Sequence, residues 1–526
     1  MSFPWLTVLA AAPLLGAVVV ALLPRGRSTL PKTFALAISV VLLALTVVLA
    51  LRYDADGGVQ FSEQHEWITA FGVHYAVGLD GIGLLMILLT AILTPVVMLA
   101  SWHDAEAGRW SVNAFFAWVL ALEGLSIGVF AATDVFLFYV LFEATLIPIY
   151  FLIGGYGGPR RSYAAVKFLL YSLLGGLLML ASVIGLYVVS ADAGAGTGGG
   201  PSYLLSDLMN VSIDESTGRW LFLGFFIAFA IKAPMWPVHT WLPDAASEAT
   251  PGTSVLLVSV LDKIGTFGML RFCLGIFPEA SQWATPVVIA LAVFSVLYGA
   301  LLAIGQNDIR RLIAYTSVSH FGFIVLGIFV FNSQGHSGAT LYMFNHGLST
   351  AALFLVTGFL ISRAGTKMIS DLGGVEKVAP VLAGVFLVAG LSSLSLPGLS
   401  PFVSEFLVLA GTFTESVTAA VLATLGIVLA AIYILLMYQR TMTGPVRPGL
   451  EATPDLNRRE VLALAPLLVL IIVLGFFPQP ALEIINPGVE STLEHVGVTD
   501  PEPSVDEPSV DEPSVDVSAQ PEGADQ

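Results

Sequence analysis

Apolar segments of about twenty residues recur along most of this chain, and no other feature constrains its fold as strongly. A segment of that length crosses the hydrocarbon core of a bilayer as a single α-helix. Because 56% of the 526 residues are apolar and only 11% are charged, a water-soluble interior could not bury this much apolar surface. The sequence therefore predicts an all-α polytopic membrane protein that is in contact with the lipid bilayer.

Fourteen segments satisfy the length requirement. The first of them ends at basic residues and not at a small-residue cleavage site, so we expect a membrane helix there and not a cleaved signal peptide. Numbered in chain order, the predicted spans cover residues 3–24, 33–52, 80–101, 112–132, 134–154, 163–190, 219–243, 252–276, 282–304, 309–331, 337–361, 379–414, 416–439 and 459–478.

The distribution of lysine and arginine orients these spans, because segments on the cytoplasmic side carry an excess of basic residues. With the N-terminus placed outside, the outer segments hold little beyond Arg52 and Arg219. We therefore expect both termini on the periplasmic or exterior side of a bacterial inner membrane. The fifteen basic residues that this orientation assigns to the inner side are Arg25, Arg27, Lys32, Arg109, Arg160, Arg161, Arg310, Arg311, Arg363, Lys367, Lys377, Arg440, Arg447, Arg458 and Arg459.

Prolines interrupt two of the predicted spans. Pro234 and Pro237 break the seventh span, and the twelfth is broken by Pro397, Gly398 and Pro401. Proline removes a backbone donor and clashes with the preceding turn, which frees carbonyl groups at membrane depth. Each broken span is the fourth of a five-span block, which predicts two inverted repeats, formed by spans 4–8 and spans 9–13. The alternative is a pair of unrelated packing kinks.

The predicted spans and repeats divide the chain into five regions. The last region is acidic, since residues 500–526 carry nine acidic side chains and no basic one. Segments of this kind are typically disordered and solvated, and a tail that docks on a partner is the alternative. The regions are 1–111 with spans 1–3, 112–277 with the first repeat, 278–440 with the second repeat, 441–480 with span 14, and 481–526 as an acidic disordered tail.

Four ionisable side chains lie near the middle of apolar spans, namely Glu143, Lys232, Lys263 and Glu405. A charge at the bilayer centre costs about 2.5–3.5 kcal/mol, so such residues persist where they pair, face water or carry function. Burial disfavours the charged form of both lysine and glutamate, and a neighbouring opposite charge counteracts this effect. Two lysines and two glutamates in series can therefore relay protons when one charge is perturbed. The alternative is that Glu143 and Lys232 form a buried ion pair that only fixes helix packing.

Five further residues are candidate relay groups. His239 follows the first break, and His320 and His346 lie in the tenth and eleventh spans, where imidazole can exchange protons near neutral pH. Each histidine has the alternative of an ordinary hydrogen-bonded structural role. Glu123 lies deep in the fourth span without a nearby basic residue in the sequence. Lys167 lies one turn inside the sixth span, where snorkelling to the cytoplasmic surface is favoured over a role in proton uptake.

The single cysteine, Cys273, excludes a disulfide framework, a thiolate zinc site and a cysteine-ligated iron–sulfur cluster within this chain. The glycine-rich stretches 154–158 and 194–200 follow no predicted strand and open no βαβ unit, so we interpret them as loops and not as nucleotide sites. We therefore expect no cofactor, no metal and no nucleic-acid partner for this chain. If the protein acts within a redox complex, the electrons travel in other subunits.

Three segments resemble the antiporter-like subunits of respiratory complex I (NADH–quinone oxidoreductase) and of multisubunit cation/proton antiporters. They are KAPMWPVHTWLPD at 232–244, DIRRLIAYTSVSH at 308–320 and HGLSTAALF at 346–354. The resemblance extends over approximately residues 1–480. It implies a fold of fourteen helices with inverted five-helix repeats and a function in proton translocation.

The resemblance also implies roles for the four midplane charges. Glu143 resembles the family's glutamate on helix five, and Lys232 resembles its partner lysine on broken helix seven. Lys263 resembles the central lysine of helix eight, and Glu405 matches the exit position on broken helix twelve. A glutamate at that position, in a chain that ends soon after span fourteen, is similar to the M-type subunits of bacterial complex I.

Partners and cofactors follow from the same resemblance. It implies that neighbouring antiporter-like subunits and other complex I membrane subunits are the partners, and that NADH, FMN, iron–sulfur clusters and quinone are bound in partner subunits. Quinone reduction in those subunits would then drive the relay. Two alternatives stay open, a subunit of a multisubunit sodium/proton antiporter or membrane-bound hydrogenase, and a passive scaffold that only connects pumping subunits.

Overall fold

The computed structural model describes residues 3–24 and 29–500. Arg25 and Arg27, two of the basic residues predicted on the inner side, and residues 501–526 of the predicted acidic tail lie outside the described residues. The described chain is mostly helical and contains one short two-stranded sheet. The predicted all-α polytopic class is confirmed.

Most helices are apolar along their whole length, as expected for helices that contact lipid or other helices on every side. Twelve helical stretches in the described residues are long and apolar enough to cross a membrane. In chain order the helices are α1 (Trp5–Leu22), α2 (Thr29–Arg52), α3 (Gly81–Ala100), α4 (Val112–Ala131), α5 (Val135–Ala144), α6 (Leu146–Tyr156), α7 (Arg161–Asp192), α8 (Leu205–Leu208), α9 (Glu215–Lys232), α10 (Trp241–Glu248), α11 (Pro251–Val255), α12 (Lys263–Gly268), α13 (Pro278–Ile304), α14 (Ile309–Phe329), α15 (Ser333–Ala364), α16 (Pro380–Ser393), α17 (Ser400–Glu415), α18 (Val417–Met442), α19 (Arg458–Phe476) and α20 (Gln479–Val496).

Short polar side chains fix where several of these helices begin. Asp80 accepts a hydrogen bond from the Gly83 amide at 2.8 Å before α3, and Asp134 accepts one from the Leu137 amide at 2.9 Å before α5. The first amide groups of a helix have no partner within the helix, so a side-chain acceptor at this point stabilises the helix end. The apolar runs thus supply the helix interiors, and the polar residues between them supply the helix starts.

Both predicted breaks are present. α9 ends at Lys232 and α10 begins at Trp241, while α16 ends at Ser393 and α17 begins at Ser400. Neither broken stretch is one of the twelve long apolar helices, so the count of fourteen spans and the inverted repeats stay predictions. The assignment of Pro401 to the break was wrong, because it lies in the first turn of α17, where proline is compatible with a helix.

The predicted eighth span is buried along its whole length and is irregular. Two π-helical segments, Leu256–Leu261 and Met269–Leu274, flank α12, so that Lys263 opens a short α-helical section between them. A π-helical turn holds one more residue than an α-helical turn and is frequent at functional sites. No proline marks these segments, and the sequence analysis predicted a regular helix here.

A β-hairpin lies between the second and third predicted spans, in a segment that the sequence analysis assigned to the outer side without predicting strands. Strand β1 (Gln60–Ile68) pairs antiparallel with β2 (Val73–Leu79). Tertiary contacts hold the hairpin, because Glu63 accepts a hydrogen bond from the Leu6 amide at 3.0 Å and Asp134 accepts one from the His74 amide at 2.9 Å. A two-stranded ribbon is marginal alone, so these contacts explain why the local sequence did not predict it.

The prediction of a disordered tail from residue 481 was wrong for its first part. Residues 479–496 form α20, whose buried side chains recur about every four positions, the spacing of one helix face. Its acidic residues lie between these apolar positions, and this mixture concealed the helical pattern. The buried residues of α20 are Ala481, Ile485, Val489, Leu493 and Val496.

The helix bundle has two distinct ends. We call one the hairpin end, which carries β1, β2, α8 and α20. The other is the basic end, where Lys367 bridges the two halves of the chain by pairing with Asp308 at 3.0 Å and with Glu248 at 3.3 Å. Arg160 also pairs with Glu248, and Arg311 pairs with Asp244. A buried carboxylate surrounded by basic side chains thus ties α10 to the second half of the chain.

The docking of α20 yields the first prediction. A Cβ atom added at Gly81 would overlap the backbone carbonyl of Ile484, so Gly81→Ala forces α20 away from the start of α3. Overpacking of this kind costs about 1–3 kcal/mol. We expect faster amide hydrogen exchange across residues 479–496 in the purified assembly, measured by mass spectrometry.

Gly384→Ala is the matched control, because a Cβ atom at Gly384 meets no atom within 4 Å. Its exchange over residues 479–496 should equal that of the wild type. Unchanged exchange in Gly81→Ala would mean that this contact does not hold α20.

Candidate functional site

The four midplane charges predicted from the sequence occupy the helix discontinuities or the helices beside them. Lys232 is the last residue of α9, and Lys263 is the first residue of α12. Glu405 lies on α17 just beyond the second break, and Glu143 lies at the end of α5. Lys232, Lys263 and Glu405 are buried, and Glu143 is partly buried. Helix ends expose unpaired backbone groups, which allows polar side chains to be accommodated at membrane depth.

Lys232 has a sparse set of neighbours. Its Nζ atom lies 3.5 Å from the Thr145 hydroxyl and 4.6 Å from the centre of the Phe142 ring. Among the ion pairs of the described residues, none joins Lys232 to Glu143. The buried Glu143–Lys232 ion pair that was one alternative is therefore not formed in this structure.

Glu143 projects against a glycine on the neighbouring helix α7. A Cβ atom at Gly176 would overlap the Glu143 carboxylate, so only glycine leaves room for this side chain in its present position. The Oε1 atom of Glu143 is buried and has no hydrogen-bond partner among the described residues. Among the described residues the carboxylate is thus held by packing and not by a hydrogen bond.

Asp262 is a functional candidate that the sequence analysis missed. It directly precedes Lys263, is fully buried, and neither of its carboxylate oxygens has a hydrogen-bond partner among the described residues. Its charge lies within electrostatic reach of both Lys263 and Lys232. The adjacent lysine in sequence was the available signal, since a carboxylate next to a midplane lysine is costly unless the two interact. Asp262 is therefore a candidate group for coupling the two lysines.

Lys263 makes the closest contact in the candidate site. Its Nζ atom lies 2.6 Å from Nδ1 of His346 and donates to the Val258 carbonyl at 2.8 Å. Val258 belongs to the π-helical segment that precedes α12, so the irregular backbone supplies an acceptor to the lysine. The Phe321 ring lies 4.6 Å from the ammonium and closes the site on one side. His346 was a predicted relay residue, and the structure brings it directly to Lys263.

A row of polar side chains continues from His346 toward Glu405. The ring centres of His346 and His320 are 5.1 Å apart, and the Tyr433 hydroxyl lies 3.5 Å from Nε2 of His320. The ring of Tyr342 lies 5.9 Å from that of His320, and its hydroxyl donates to Glu405 at 2.8 Å. We call Lys263, His346, His320, Tyr342 and Glu405 the polar row.

The second break contributes to this row through Ser395. Its hydroxyl donates to Oε2 of Glu405, the oxygen that also accepts from Tyr342. Ser395 has a positive φ of 58°, a left-handed conformation that is uncommon for residues other than glycine. Backbone strain of this kind clusters at functional sites. The sequence analysis missed Ser395, Tyr342 and Tyr433, since tyrosine and serine in an apolar helix look like ordinary packing residues.

The remaining predicted residues lie away from the polar row. His239 packs against the rings of Tyr298 and Tyr315, and neither of its ring nitrogens has a hydrogen-bond partner among the described residues. Both carboxylate oxygens of Glu123 are likewise unpartnered and buried in α4. Lys167 pairs with Asp244 at 2.7 Å. Asp244 also pairs with Arg311 at the basic end, so the snorkelling of Lys167 to that surface stays a prediction.

The groups gathered here share one chemistry, since amines, imidazoles, phenols and carboxylates all bind and release protons. Some neighbours in the polar row are within hydrogen-bond distance, such as Lys263 and His346. Others, such as His346 and His320, have ring centres about one side chain apart. Within residues 3–24 and 29–500, no group of histidine, cysteine, aspartate or glutamate side chains has the arrangement of a metal site.

Comparisons with known proteins agree on one family. The model of the family described as NADH:quinone oxidoreductase/Mrp antiporter, TM, matches residues 132–431. A protein of Mycobacterium tuberculosis named NADH-quinone oxidoreductase subunit M is 51% identical, over 96% of this chain and 96% of its own. The protein of the same name from Rhodobacter capsulatus is 38% identical, over 93% of this chain and 96% of its own.

Solved structures extend the agreement to the fold. A chain in respiratory complex I from Thermus thermophilus with bound NADH has a TM-score of 0.84 and 32% identity, over 94% of this chain and 100% of its own. A chain in the Mrp complex from a Dietzia species has the same TM-score of 0.84 at 23% identity, which shows the fold alone. Since the family model covers more than half of the chain and the curated relatives cover nearly all of it, this chain belongs to the NADH:quinone oxidoreductase/Mrp antiporter family of membrane proteins.

Proposed function

We propose that this chain is a proton-translocating membrane-arm subunit of a bacterial NADH–quinone oxidoreductase. The observation that carries the proposal is the 2.6 Å contact between Lys263 Nζ and His346 Nδ1, buried at a helix discontinuity and continued by the polar row to Glu405. The relatives named NADH-quinone oxidoreductase subunit M support the assignment to that complex. NADH, FMN, iron–sulfur clusters and quinone are then bound by partner subunits, and this chain sits among the other membrane-arm subunits in the inner membrane.

Lys263 is the central exchange group in this proposal. In the ammonium form it donates one proton to Nδ1 of His346 and another to the Val258 carbonyl. Transfer breaks the Nζ–H bond and forms an Nδ1–H bond, leaving a neutral amine beside an imidazolium. The reverse transfer restores the ammonium. Burial disfavours both charged forms, so a small change in nearby charge shifts the proton from one group to the other.

The rest of the polar row extends the path. From His346 the next acceptor is His320, whose ring centre is 5.1 Å away, a spacing that a ring rotation or one water molecule can bridge. Tyr342 then connects the histidine pair to Glu405 through its hydroxyl. A phenol can pass a proton by accepting on one side while donating on the other. The first charge to move determines the order and the direction of these proton transfers.

The charge that moves first is Glu143 in our proposal. With Glu143 close to Lys232, the lysine charge is neutralised and Asp262 stabilises the ammonium form of Lys263. With Glu143 withdrawn, Lys232 attracts Asp262, and Lys263 then loses its counter-charge and releases its proton. Lys167, His239 and Glu123 flank this set and are proposed as accessory groups only. In this proposal, the absence of an ion pair between Glu143 and Lys232 in the structure corresponds to the withdrawn arrangement.

We also propose the orientation and the repeats that the sequence predicts. Basic residues gathered at the basic end, such as Arg160, Arg311 and Lys367, support a cytoplasmic location for that end, so the hairpin end and both termini face outside. The breaks after Lys232 and Ser393, each followed by a second helical section, support paired and inverted five-helix repeats.

Two alternatives compete with this proposal. The first is a subunit of a sodium/proton antiporter or membrane-bound hydrogenase. Such a subunit would have the same fold, as a chain of the Mrp complex does, but a different process would drive its proton relay. A passive scaffold needs the helices but not the relay chemistry. The hydrogen-bonded Glu405 and the Lys263–His346 contact favour a working relay over the scaffold.

Replacement of Lys263 tests the function itself. Lys263→Ala removes the central exchange group, so we expect NADH-driven proton pumping in reconstituted vesicles to fall by about 10²-fold, the scale of a lost acid–base group. The amount of assembled complex should stay normal. Lys377→Ala, at an exposed lysine away from the polar row, is the control and should pump like the wild type. Normal pumping by Lys263→Ala would support the scaffold and refute our proposal.

Replacement of Lys232 tests whether lysine must lose its proton. In Lys232→Arg the guanidinium keeps its charge, so we expect a pumping loss of about tenfold or more despite normal assembly. Lys377→Arg is the matched control, since Lys377 is exposed and lies away from the polar row, so pumping should be unchanged. If Lys232→Arg pumps at the wild-type rate, deprotonation of this lysine is not part of the mechanism.

A further inference from the structure

Asn345 is a buried polar residue that the relay proposed above does not use. It lies on α15 directly before His346 and has no solvent contact. Its side-chain amide donates from Nδ2 to the Ser400 carbonyl at 2.8 Å and lies 3.4 Å from the Ser404 hydroxyl. Both serines belong to the first two turns of α17, which begins directly after the second break. Because a buried amide is costly without hydrogen bonds, these contacts fix how α15 meets the break.

The partners of the Asn345 amide determine its orientation. The Ser400 carbonyl oxygen can only accept, so the amide nitrogen must face it. The Ser404 hydroxyl donates to the Pro401 carbonyl at 2.9 Å, so it is free to accept from the amide. Leucine has a similar size to asparagine but no donor, whereas a protonated aspartic acid keeps one O–H donor. Substitution can therefore remove or keep the donor without a large change in volume.

Two residues of the polar row share a helix face with Asn345. Tyr342, Asn345 and His346 are spaced so that their side chains lie on one side of α15, within about one turn. The Tyr342 hydroxyl donates to Glu405 on α17 at 2.8 Å. Nδ1 of His346 lies 2.6 Å from Nζ of Lys263. Asn345 thus joins α15 to α17 at the level where the relay passes from one helix to the other.

The far end of α17 is fixed separately. Asn332, directly before α15, donates to the Gly411 carbonyl at 2.8 Å. Between the two asparagines the helices are in close contact, because a Cβ atom at Gly338 would lie 2.7 Å from the Val408 amide nitrogen. Loss of the Asn345 hydrogen bond would therefore release the end of α17 that follows the break, and Glu405 lies in the second turn from that end.

The Asn345 amide differs from the groups of the polar row because it does not exchange protons. The hydrogen bond from Tyr342 is strong while Glu405 is a carboxylate, and it is weaker once Glu405 has bound a proton. The hydrogen bond from Asn345 to the Ser400 carbonyl involves no titrating group. It therefore holds the start of α17 in place while the charge of Glu405 changes.

We propose that Asn345 is a positioning residue of the relay, which keeps Glu405 within hydrogen-bond distance of Tyr342 as Glu405 gains and loses its proton. This role rests on the function proposed above. Asn345 carries no proton itself and acts through the contact between Tyr342 and Glu405.

Replacement of the Asn345 amide tests this role. In Asn345→Leu the start of α17 loses its anchor, so we expect NADH-driven proton pumping in reconstituted vesicles to fall by about tenfold, since small displacements of reacting groups slow proton transfer. A carboxylate that faces a buried carbonyl oxygen is unfavourable, so the side chain in Asn345→Asp takes up a proton and donates to Ser400. At about pH 6, which favours this form, Asn345→Asp should recover most of the wild-type pumping.

Asn113→Leu is the matched control. Asn113 is also buried and donates from Nδ2 to a backbone carbonyl, that of Leu23 at 2.8 Å, but it lies in the first turn of α4 and takes no part in the polar row. Pumping is expressed per assembled complex, so that poor folding is not counted as lost pumping. Asn113→Leu should pump like the wild type. An equal loss in Asn113→Leu and Asn345→Leu would overturn the inference, because any buried asparagine would then have this effect.

A double variant separates positioning from general packing. Tyr342→Phe removes the hydroxyl that bonds to Glu405, and pumping should fall. If Asn345 acts through this contact, the variant with both Tyr342→Phe and Asn345→Leu pumps about as well as the worse single variant, because the effects of coupled residues do not add. A double loss equal to the product of the single losses would contradict the inference. Full pumping by either single variant would also do so, as would an Asn345→Asp variant that pumps no better than Asn345→Leu.

The proposed function fails in a different way. If Lys263→Ala stops pumping while Asn345→Leu pumps fully, the role of Asn345 is wrong and the proposed function stands. If Lys263→Ala pumps normally, both are wrong.

Discussion

The interaction on which the rest of the site depends is the contact of the Lys263 ammonium with His346 and with the Val258 carbonyl. A lysine without solvent contact needs acceptors from the protein, because the desolvation of a lone ammonium is costly. The carbonyl comes from an irregular backbone turn, and the imidazole comes from a different long helix. This one ammonium therefore requires both the π-helical segment before α12 and the close packing of α15 beside it.

Breaks in helices supply the rest of the site in the same way. α9 ends at Lys232, and the gap between α16 and α17 places Ser395 against Glu405. Regular helices satisfy their own backbone groups and leave no polar anchor at membrane depth. Irregular turns free such groups, and the midplane charges lie where these turns occur. A single physical cause, the need to solvate charges without water, thus links the broken helices to the relay. The ion pair of Arg271 with Asp80 extends the same rule toward the hairpin end.

The sequence was sufficient to predict an apolar helical protein and both breaks, and to single out four charges inside apolar segments, since long apolar runs, prolines and isolated charges are local signals. It was insufficient for the contacts between helices. In the sequence, Tyr342 and Tyr433 cannot be told apart from aromatic residues of an apolar core. Only the packing of α14, α15 and α18 brings their hydroxyls to Glu405 and His320. Asp262 is adjacent to Lys263 in the sequence, but its burial without a hydrogen-bond partner is visible only in the structure. The hairpin and α20 depend on tertiary contacts, which no local pattern encodes.

The central claim is that a proton moves between Lys263 and His346 during turnover. Infrared difference spectroscopy of the reconstituted complex, with nitrogen-15-labelled histidine, measures this step most directly. The wild type should show an imidazolium band that appears on addition of NADH and that is missing from His346→Gln assembled to the same level. An identical histidine spectrum in wild type and His346→Gln would contradict the account, because His346 would then keep one protonation state throughout turnover.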